Sequence, residues 1–278
     1  MKKTIKLSPQ RIRLFRQRIY AHYRKNGRAL PWRRTHDPYK ILLSELMLQQ
    51  TQVRRVIEKY REFLRRFPSI ESMASAPLRA ILEQWQGLGY NRRALSLKRL
   101  AVILADRYGG RIPRDIEVLK ALPGVGAATA GAVCAFAFDK PVVFIETNIR
   151  SVFIHFFFRD RGGVKDSEIS PLVEQTLDAK HPREWYYALM DYGVALKEQH
   201  ANPNRRSAHY TKQSPFEGSL RQVRGMILRT VVKQPGISEP ALVKVINRDA
   251  VMVRQALKQL RTEGFIVKKR KRFFIGDI

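Results

Sequence analysis

Cysteine is almost missing from this chain: Cys134 is the only one in 278 residues. It can close no internal disulfide and cannot supply a four-cysteine zinc or iron–sulfur site. A reducing cytoplasm is the simple reading of that scarcity. Long apolar runs are absent too. No stretch of about 18 apolar residues exists, so no membrane span is expected. The basic opening MKKTIKLSPQRIRLFRQRIY has no continuous apolar core and does not read as a signal peptide. The six histidines show no ligand spacing, and neither an HExxH nor a Gly-x-Ser-x-Gly motif occurs. His155, in SVFIHFFF, reads as a core or helix-face residue. No metal is expected. Internal repeats and low-complexity segments are also lacking.

Acidic residues are the other shortage. Asp and Glu number 24 against 53 Lys and Arg, a formal charge of +29. That excess suits a polyanionic partner, with nucleic acid first. A generally basic proteome or a membrane-surface protein is the plainer alternative. With 44% apolar residues, the chain has enough to bury a core.

The first two hundred residues read as helices joined by short turns. SPQRIRLFRQRIYAHYRKNG opens on Ser-Pro and closes on Asn-Gly. DPYKILLSELMLQQTQ starts with Asp37 as N-cap and Pro38 at the first helical position. VRRVIEKYREFLRRF puts Val53, Val56, Ile57, Tyr60 and Leu64 on one face. Further helices are predicted near 77–85, 91–108, 115–121, 127–137, 147–157, 167–178 and 183–197. Val142 to Ile145 lacks a partner strand and reads as an extended entry to a helix. Residues 198–218 are polar and aperiodic, a linker or loop. From residue 219 to 278 three helices and a basic hairpin follow, the pattern of a winged helix-turn-helix module. The domains are thus expected at 1–197 and 219–278.

Several segments carry candidate chemistry. ALPGVGAATAGAV breaks one helix at Pro123-Gly124 and starts another after Gly126. The N–H groups of Gly124, Val125, Gly126 and Thr129 suit a DNA backbone phosphate; an ordinary helix–helix turn is the bland reading. Thr129 stands where a dinucleotide motif would have its third glycine, and no strand precedes the loop. Glu45 lies at the edge of an apolar stripe formed by Ile41, Leu42, Leu46 and Leu48. A half-buried carboxylate there has a raised pKa and suits a general acid; a structural pair with Arg33 or Arg34 would explain it equally well. Gln49, Gln50 and Gln52 offer amides for base edges, or simply form a polar helix end. Tyr90, Asn91, Arg92 and Arg93 follow a Gly-x-Gly turn and can wedge into DNA or hold phosphate; a capped helix start is the alternative. Trp32 is a stacking candidate or a core residue. Glu146 closes an apolar run ahead of a helix, so it is either a cap or a chemical group.

Taken together, LPWR, PYKILLSELMLQQTQV, FP, LEQWQGLGYNRRA, GGRIP, LPGVGAATAGAV, ETNIRSV and ALMDYG resemble the helix-hairpin-helix DNA glycosylases. The likeness covers roughly residues 28–195, and SELMLQQTQV points to the branch that removes adenine mispaired with guanine or 8-oxoguanine. The resemblance implies a mainly α, two-lobed HhH-GPD glycosylase fold, here followed by the winged module. It implies Glu45 as the acid that protonates adenine and positions water. Glu146 falls at the family's catalytic aspartate, and Asn148 at an asparagine that orients the site. Gln49 and Tyr90 fall where side chains enter beside the flipped base, and the hairpin with Gly124 and Gly126 holds phosphate. Trp32, Arg33, Leu48 and Ala128 are expected around the base.

The chain departs from the family in four places. Glu146 replaces aspartate and moves the charge by about 1.5 Å. KEQHANPNRRSAHYTKQS stands where cluster-binding cysteines usually follow MDYG, so no iron–sulfur cluster and no other cofactor is expected. Ala128 stands where bifunctional relatives carry lysine, which excludes a Schiff base there. A winged module stands where the family's 8-oxoguanine-reading domain is expected. The resemblance thus implies a monofunctional adenine glycosylase of base excision repair. Its partner would be double-stranded DNA with a mispaired or damaged base, and it would act as a monomer at the nucleoid in the cytoplasm. A mismatch thymine or uracil glycosylase, a lyase using another amine, or a catalytically silent DNA-binding regulator are the alternatives.

Overall fold

The computed structural model describes residues 5–159, 161–199 and 201–277. The first four residues of the basic opening lie outside them. Helices dominate, in the order α1 (Pro9–Asn26), α2 (Pro38–Leu48), α3 (Val53–Arg66), α4 (Ile70–Ser75), α5 (Leu78–Trp85), α6 (Arg92–Tyr108), α7 (Ile116–Lys120), α8 (Ala127–Phe138), α9 (Thr147–Phe157), α10 (Asp166–Thr176) and α11 (Pro182–Gln199). After these come α12 (Leu220–Lys233), β1 (Ile237–Ser238), α13 (Glu239–Ile246), α14 (Ala250–Thr262), β2 (Ile266–Lys269) and β3 (Arg272–Ile275). Among the described residues no helix is long and apolar enough to cross a membrane.

The chain folds into two compact units. The first holds residues up to Glu45, Pro113–Ala121 and Val125–Lys212. Its core is α11 packed on α9 and α1, with Trp185, Tyr186, Phe153 and Ile19 fully buried. α8 is apolar on every side, AATAGAVCAFAF, and is buried almost throughout, as such a helix must be. Gly131 makes this possible, because a Cβ there would lie 2.4 Å from the Phe144 Cβ.

The second unit holds Leu46–Ile112, Leu122–Gly124 and Gln213–Ile278. α4 packs on α6, and α5 meets α12. α3 buries Val56, Tyr60 and Phe63, while Val53, Ile57 and Leu64 of the predicted stripe are only half-buried. In the tail, α12, α13 and α14 pack on a three-stranded antiparallel sheet of order β1-β3-β2. The third strand, β1, was not expected: Ile237 pairs with Phe273 just after the Pro235-Gly236 turn. The tail therefore shares a compact unit with residues 46–112, where the composition alone suggests a separate module.

The polar segment after residue 198 is also more ordered than its composition suggests. α11 runs on to Gln199, and a 3₁₀ turn forms at Pro203–Arg206. Pro203, Asn204 and Ser207 are buried. The Asn202 side chain caps the turn, Val164 N–H donates to Arg206 O at 2.9 Å, and Ala208 N–H donates to Val164 O at 2.8 Å. These are backbone contacts, to which apolar periodicity is blind. Elsewhere the predicted helices appear to within two residues at each end, except that α2 stops at Leu48, ahead of Gln49–Gln52; α4 was not expected, and Val142 to Ile145 lies in neither helix nor strand.

Candidate active site

In the first unit Glu45 sits on α2, whose Asp37 cap accepts from Tyr39 N–H at 2.9 Å. Its neighbours Leu42, Leu43, Ser44, Leu46 and Met47 are fully buried. That apolar setting pushes the Glu45 carboxyl up to about 8, the nearby charge of Glu146 adds to the rise, and Arg33 opposes it. The structural pair with Arg33 does not form. Arg33 instead grips Asp191 with both terminal nitrogens, each at 2.7 Å, and lies 4.4 Å from the centre of the Tyr187 ring. Arg28 adds a third contact to Asp191 at 2.7 Å.

Glu146 is the N-cap of α9 and accepts from Asn148 N–H at 2.7 Å and Ile149 N–H at 2.8 Å. Its second oxygen accepts from Asn148 Nδ2 at 3.1 Å, and Lys197 Nζ donates to Asn148 Oδ1 at 2.7 Å. Burial raises the Glu146 carboxyl, while the two backbone donors and the Lys197 charge pull it back. α11 comes close enough for this arrangement because residue 193 is glycine. A Cβ there would lie 2.5 Å from Asn148 O.

A desolvated carboxyl that faces a second carboxylate does not ionise readily. The N–H donors on Glu146 favour its charged form, so the proton belongs on Glu45. The arrangement can therefore present an acid beside an anion near neutral pH.

α8 begins at Ala127 with no side-chain cap, and Gly126 ahead of it is exposed with open space around its Cα. The first N–H groups of a helix have no partner within it and suit an anion. Ala128 is half-buried, Thr129 is buried, and Trp32 lies in the core at 3% exposure.

A second cluster lies wholly in the second unit. Gly124 has φ +79°, and its carbonyl accepts from Gln49 Nε2 at 3.3 Å. Gln50 (φ 54°) and Tyr90 (φ 47°) both hold left-handed backbone, which is uncommon for such residues. Arg93 explains how this is sustained. It is buried and donates to the carbonyls of Leu46, Met47, Leu88 and Gly89 at 2.7–3.2 Å and to Thr51 Oγ1 at 2.8 Å. One guanidinium thus closes the end of α2 and holds the Gly87–Tyr90 turn. Arg93 is a brace and not the phosphate ligand its sequence position suggests. Arg92 is exposed but bound bidentately by Glu263, at 2.7 and 2.9 Å. Asn91 caps α6 without a side-chain bond, Gln52 is an exposed cap of α3, and Leu48 ends α2 half-buried.

Residues 43–174 match the HhH-GPD superfamily base excision DNA repair proteins. The fold is similar to that of a solved thermostable thymine-DNA glycosylase, with TM-score 0.60 and 30% identity over 66% of this chain and 86% of that one. The chain belongs to the HhH-GPD superfamily. Within it, the chain is 36% identical to an adenine DNA glycosylase of Buchnera aphidicola over 188 residues, 66% of this chain and 53% of that one. It is 42% identical to an adenine DNA glycosylase of Mycobacterium tuberculosis over 135 residues, 48% of this chain and 44% of that one. The chain spans about half the length of these curated relatives.

Within this HhH-GPD chain the structure brings Glu45, Glu146, Asn148 and Arg33 together in the first unit, and Gln49, Gln50 and Tyr90 in the second. It adds Asp191, Tyr187 and Lys197 to the first group. Asp191 was visible as an acid inside the apolar helix EWYYALMDYG, the same signal that singled out Glu45. Tyr187 and Lys197 carried no such signal.

Proposed function

We propose that the chain is a monofunctional DNA glycosylase that removes adenine mispaired with guanine or 8-oxoguanine, acting as a monomer on double-stranded DNA at the nucleoid in the cytoplasm. The observation that carries this reading is the coupled pair Glu45 and Glu146, one pushed up to about 8 and the other capped by two N–H donors. After the base flips out, Glu45 donates its proton to an adenine ring nitrogen. The N-glycosidic bond breaks and its electron pair leaves with the base. The sugar carries the positive charge, which the Glu146 anion stabilises. Water adds at C1′ and gives up a proton to the Glu45 carboxylate, leaving free adenine, an abasic site and the enzyme in its starting state. Ala128 offers no amine, so no covalent sugar adduct forms there.

The reaction needs no cofactor, and a four-cysteine cluster does not fit the donor set. Cys134 is alone and buried, its thiol facing Arg114 O at 3.7 Å, and among the described residues no three metal-ligating side chains gather. A thymine glycosylase is the second reading, favoured by the 30% identity to the solved thymine-DNA glycosylase.

Duplexes carrying A:8-oxoG, A:G, T:G or U:G separate these readings, assayed for base release with and without alkali. Adenine release and alkali-dependent strand scission are expected. Glu45→Gln should abolish release and keep duplex binding. Release of thymine alone would move the assignment to the second reading, and binding without any release would make the chain a DNA-binding regulator.

A further inference from the structure

A cavity of about 900 Å³ lies in the second unit, between the Gln49–Gln52 turn, the Gly87–Tyr90 turn and α12 of the tail. That is ample for a nucleotide. On one side it presents Gln50 and Tyr90, both with left-handed backbone. On the other it presents Gln213, from the segment leading into the tail, and Arg221 of α12. Gln213 Nε2 donates to Gln50 Oε1 at 3.0 Å and also to Tyr90 Oη. Arg221 Nη1 donates to Tyr90 Oη at 3.1 Å, Nη2 donates to Ser214 O at 3.3 Å, and the guanidinium lies 5.6 Å from the Tyr90 ring centre and 5.4 Å from that of Phe216.

The charges around the cavity are not equivalent. Arg92 and Arg224 both bind Glu263, whose carboxyl they hold at about 2. Arg93 is engaged by carbonyls. Arg221 has no carboxylate partner among the described residues and is held half-buried between two aromatic rings. A planar guanidinium kept flat in this way, beside an amide and a phenol, is built to meet a planar acceptor edge.

Flipping one nucleotide leaves its partner base unpaired in the duplex. Guanine and its oxidised forms keep an O6 acceptor, and guanine adds N7, the edge an arginine fork matches; cytosine presents an amino donor instead. We propose that the tail completes a pocket for the base opposite the excised nucleotide, in which Arg221, supported by Gln213, selects a guanine-type base. This rests on the glycosylase reading but not on which base is removed.

The test is binding of the full chain, at fixed salt, to duplexes with a stable tetrahydrofuran abasic analogue opposite G, 8-oxoG, C or T. The parent should favour G or 8-oxoG over C. Arg221→Ala should erase about tenfold of that preference and weaken C-opposed binding by less than about threefold, each discrimination being of the size of one bidentate base contact. Arg221→Lys, which keeps the charge and loses the fork, should lose the preference as well, and Gln213→Ala should lose part of it. Unchanged melting temperatures would show that the variants fold. Equal weakening on all four duplexes would make Arg221 a phosphate contact and overturn the proposal. So would a parent without preference, or an Arg221→Ala variant that keeps it. If no adenine is released in the base-release assay while the preference for G persists, the excised base is misassigned and the pocket stands.

Discussion

The burial that makes an ionised Glu45 unfavourable for folding is also what would suit it to the proposed chemistry. Its carboxyl titrates at about 8 in the fold, against about 4.3 in an unfolded chain. The fold therefore favours the protonated form. Its stability contribution is full below about pH 4.3 and is lost as pH rises toward 8. Glu45→Gln removes the ionisation and should melt a few degrees higher than the parent at about pH 8.5, with little difference at about pH 4. The same titration predicts that single-turnover base release holds level through neutrality and falls about tenfold per pH unit above 8. A flat rate up to about pH 10 would remove Glu45 as the acid. The sequence shows this residue clearly, because a lone acid at the edge of an apolar stripe is conspicuous at helical spacing. It cannot show whether Arg33 pairs with Glu45 or elsewhere. That depends on Asp191, 158 residues along the chain from Arg33. At Glu146 the cap and the proposed chemistry are compatible: the two backbone bonds that make it a cap also favour the charge that the proposed chemistry would require.

At the scale of elements, the site depends on how closely α9 and α11 approach. Gly193 leaves no room for a methyl group, since its Cβ would sit 2.5 Å from Asn148 O and 2.8 Å from Asn148 Cβ. Gly193→Ala should displace the start of α9, and with it Asn148 and Glu146. A displacement of about 1 Å at reacting groups costs up to about a hundredfold in rate. Base release should therefore fall tenfold or more while duplex binding changes by less than about threefold. Gly162→Ala, exposed between α9 and α10 with open space around it and no positive φ, is the control and should change stability by less than about 1 kcal/mol. If both variants release base at the parent rate, the α9–α11 contact does not position the site. Most helices are legible because caps such as Asp37 and stripe residues such as Val56 and Tyr60 are local signals, whereas the short α4, with its Ser69–Ser72 capping box, was not expected. The strand β1 and the turn at Pro203–Arg206 are not, because each is held by a backbone partner far away in the chain.

At the scale of the molecule, the charge of +29 is the plainest feature of the sequence, yet it hides how the arginines are used. Arg33, Arg92, Arg93 and Arg224 all have protein partners. The tail also joins residues 46–112 in one unit through Glu263, which holds Arg92 and Arg224 together. Composition marks the tail as separate because its boundary is polar, and cannot show a three-way ion cluster formed by residues 39 and 171 positions apart. The many basic side chains that remain should neutralise phosphates and release counterions. Affinity for undamaged duplex is expected to fall at least a hundredfold between about 50 and 200 mM salt, with log Kd rising by about 0.9 per log unit of salt for each phosphate neutralised. Arg221→Ala offers a way to separate charge from recognition within that curve. As a base reader it should leave the slope on undamaged duplex unchanged, whereas a phosphate contact should reduce it by about one. Titrating parent and variant across the salt range measures this. A slope lowered by about one would place Arg221 on the backbone and leave the guanine preference to another side chain of the cavity.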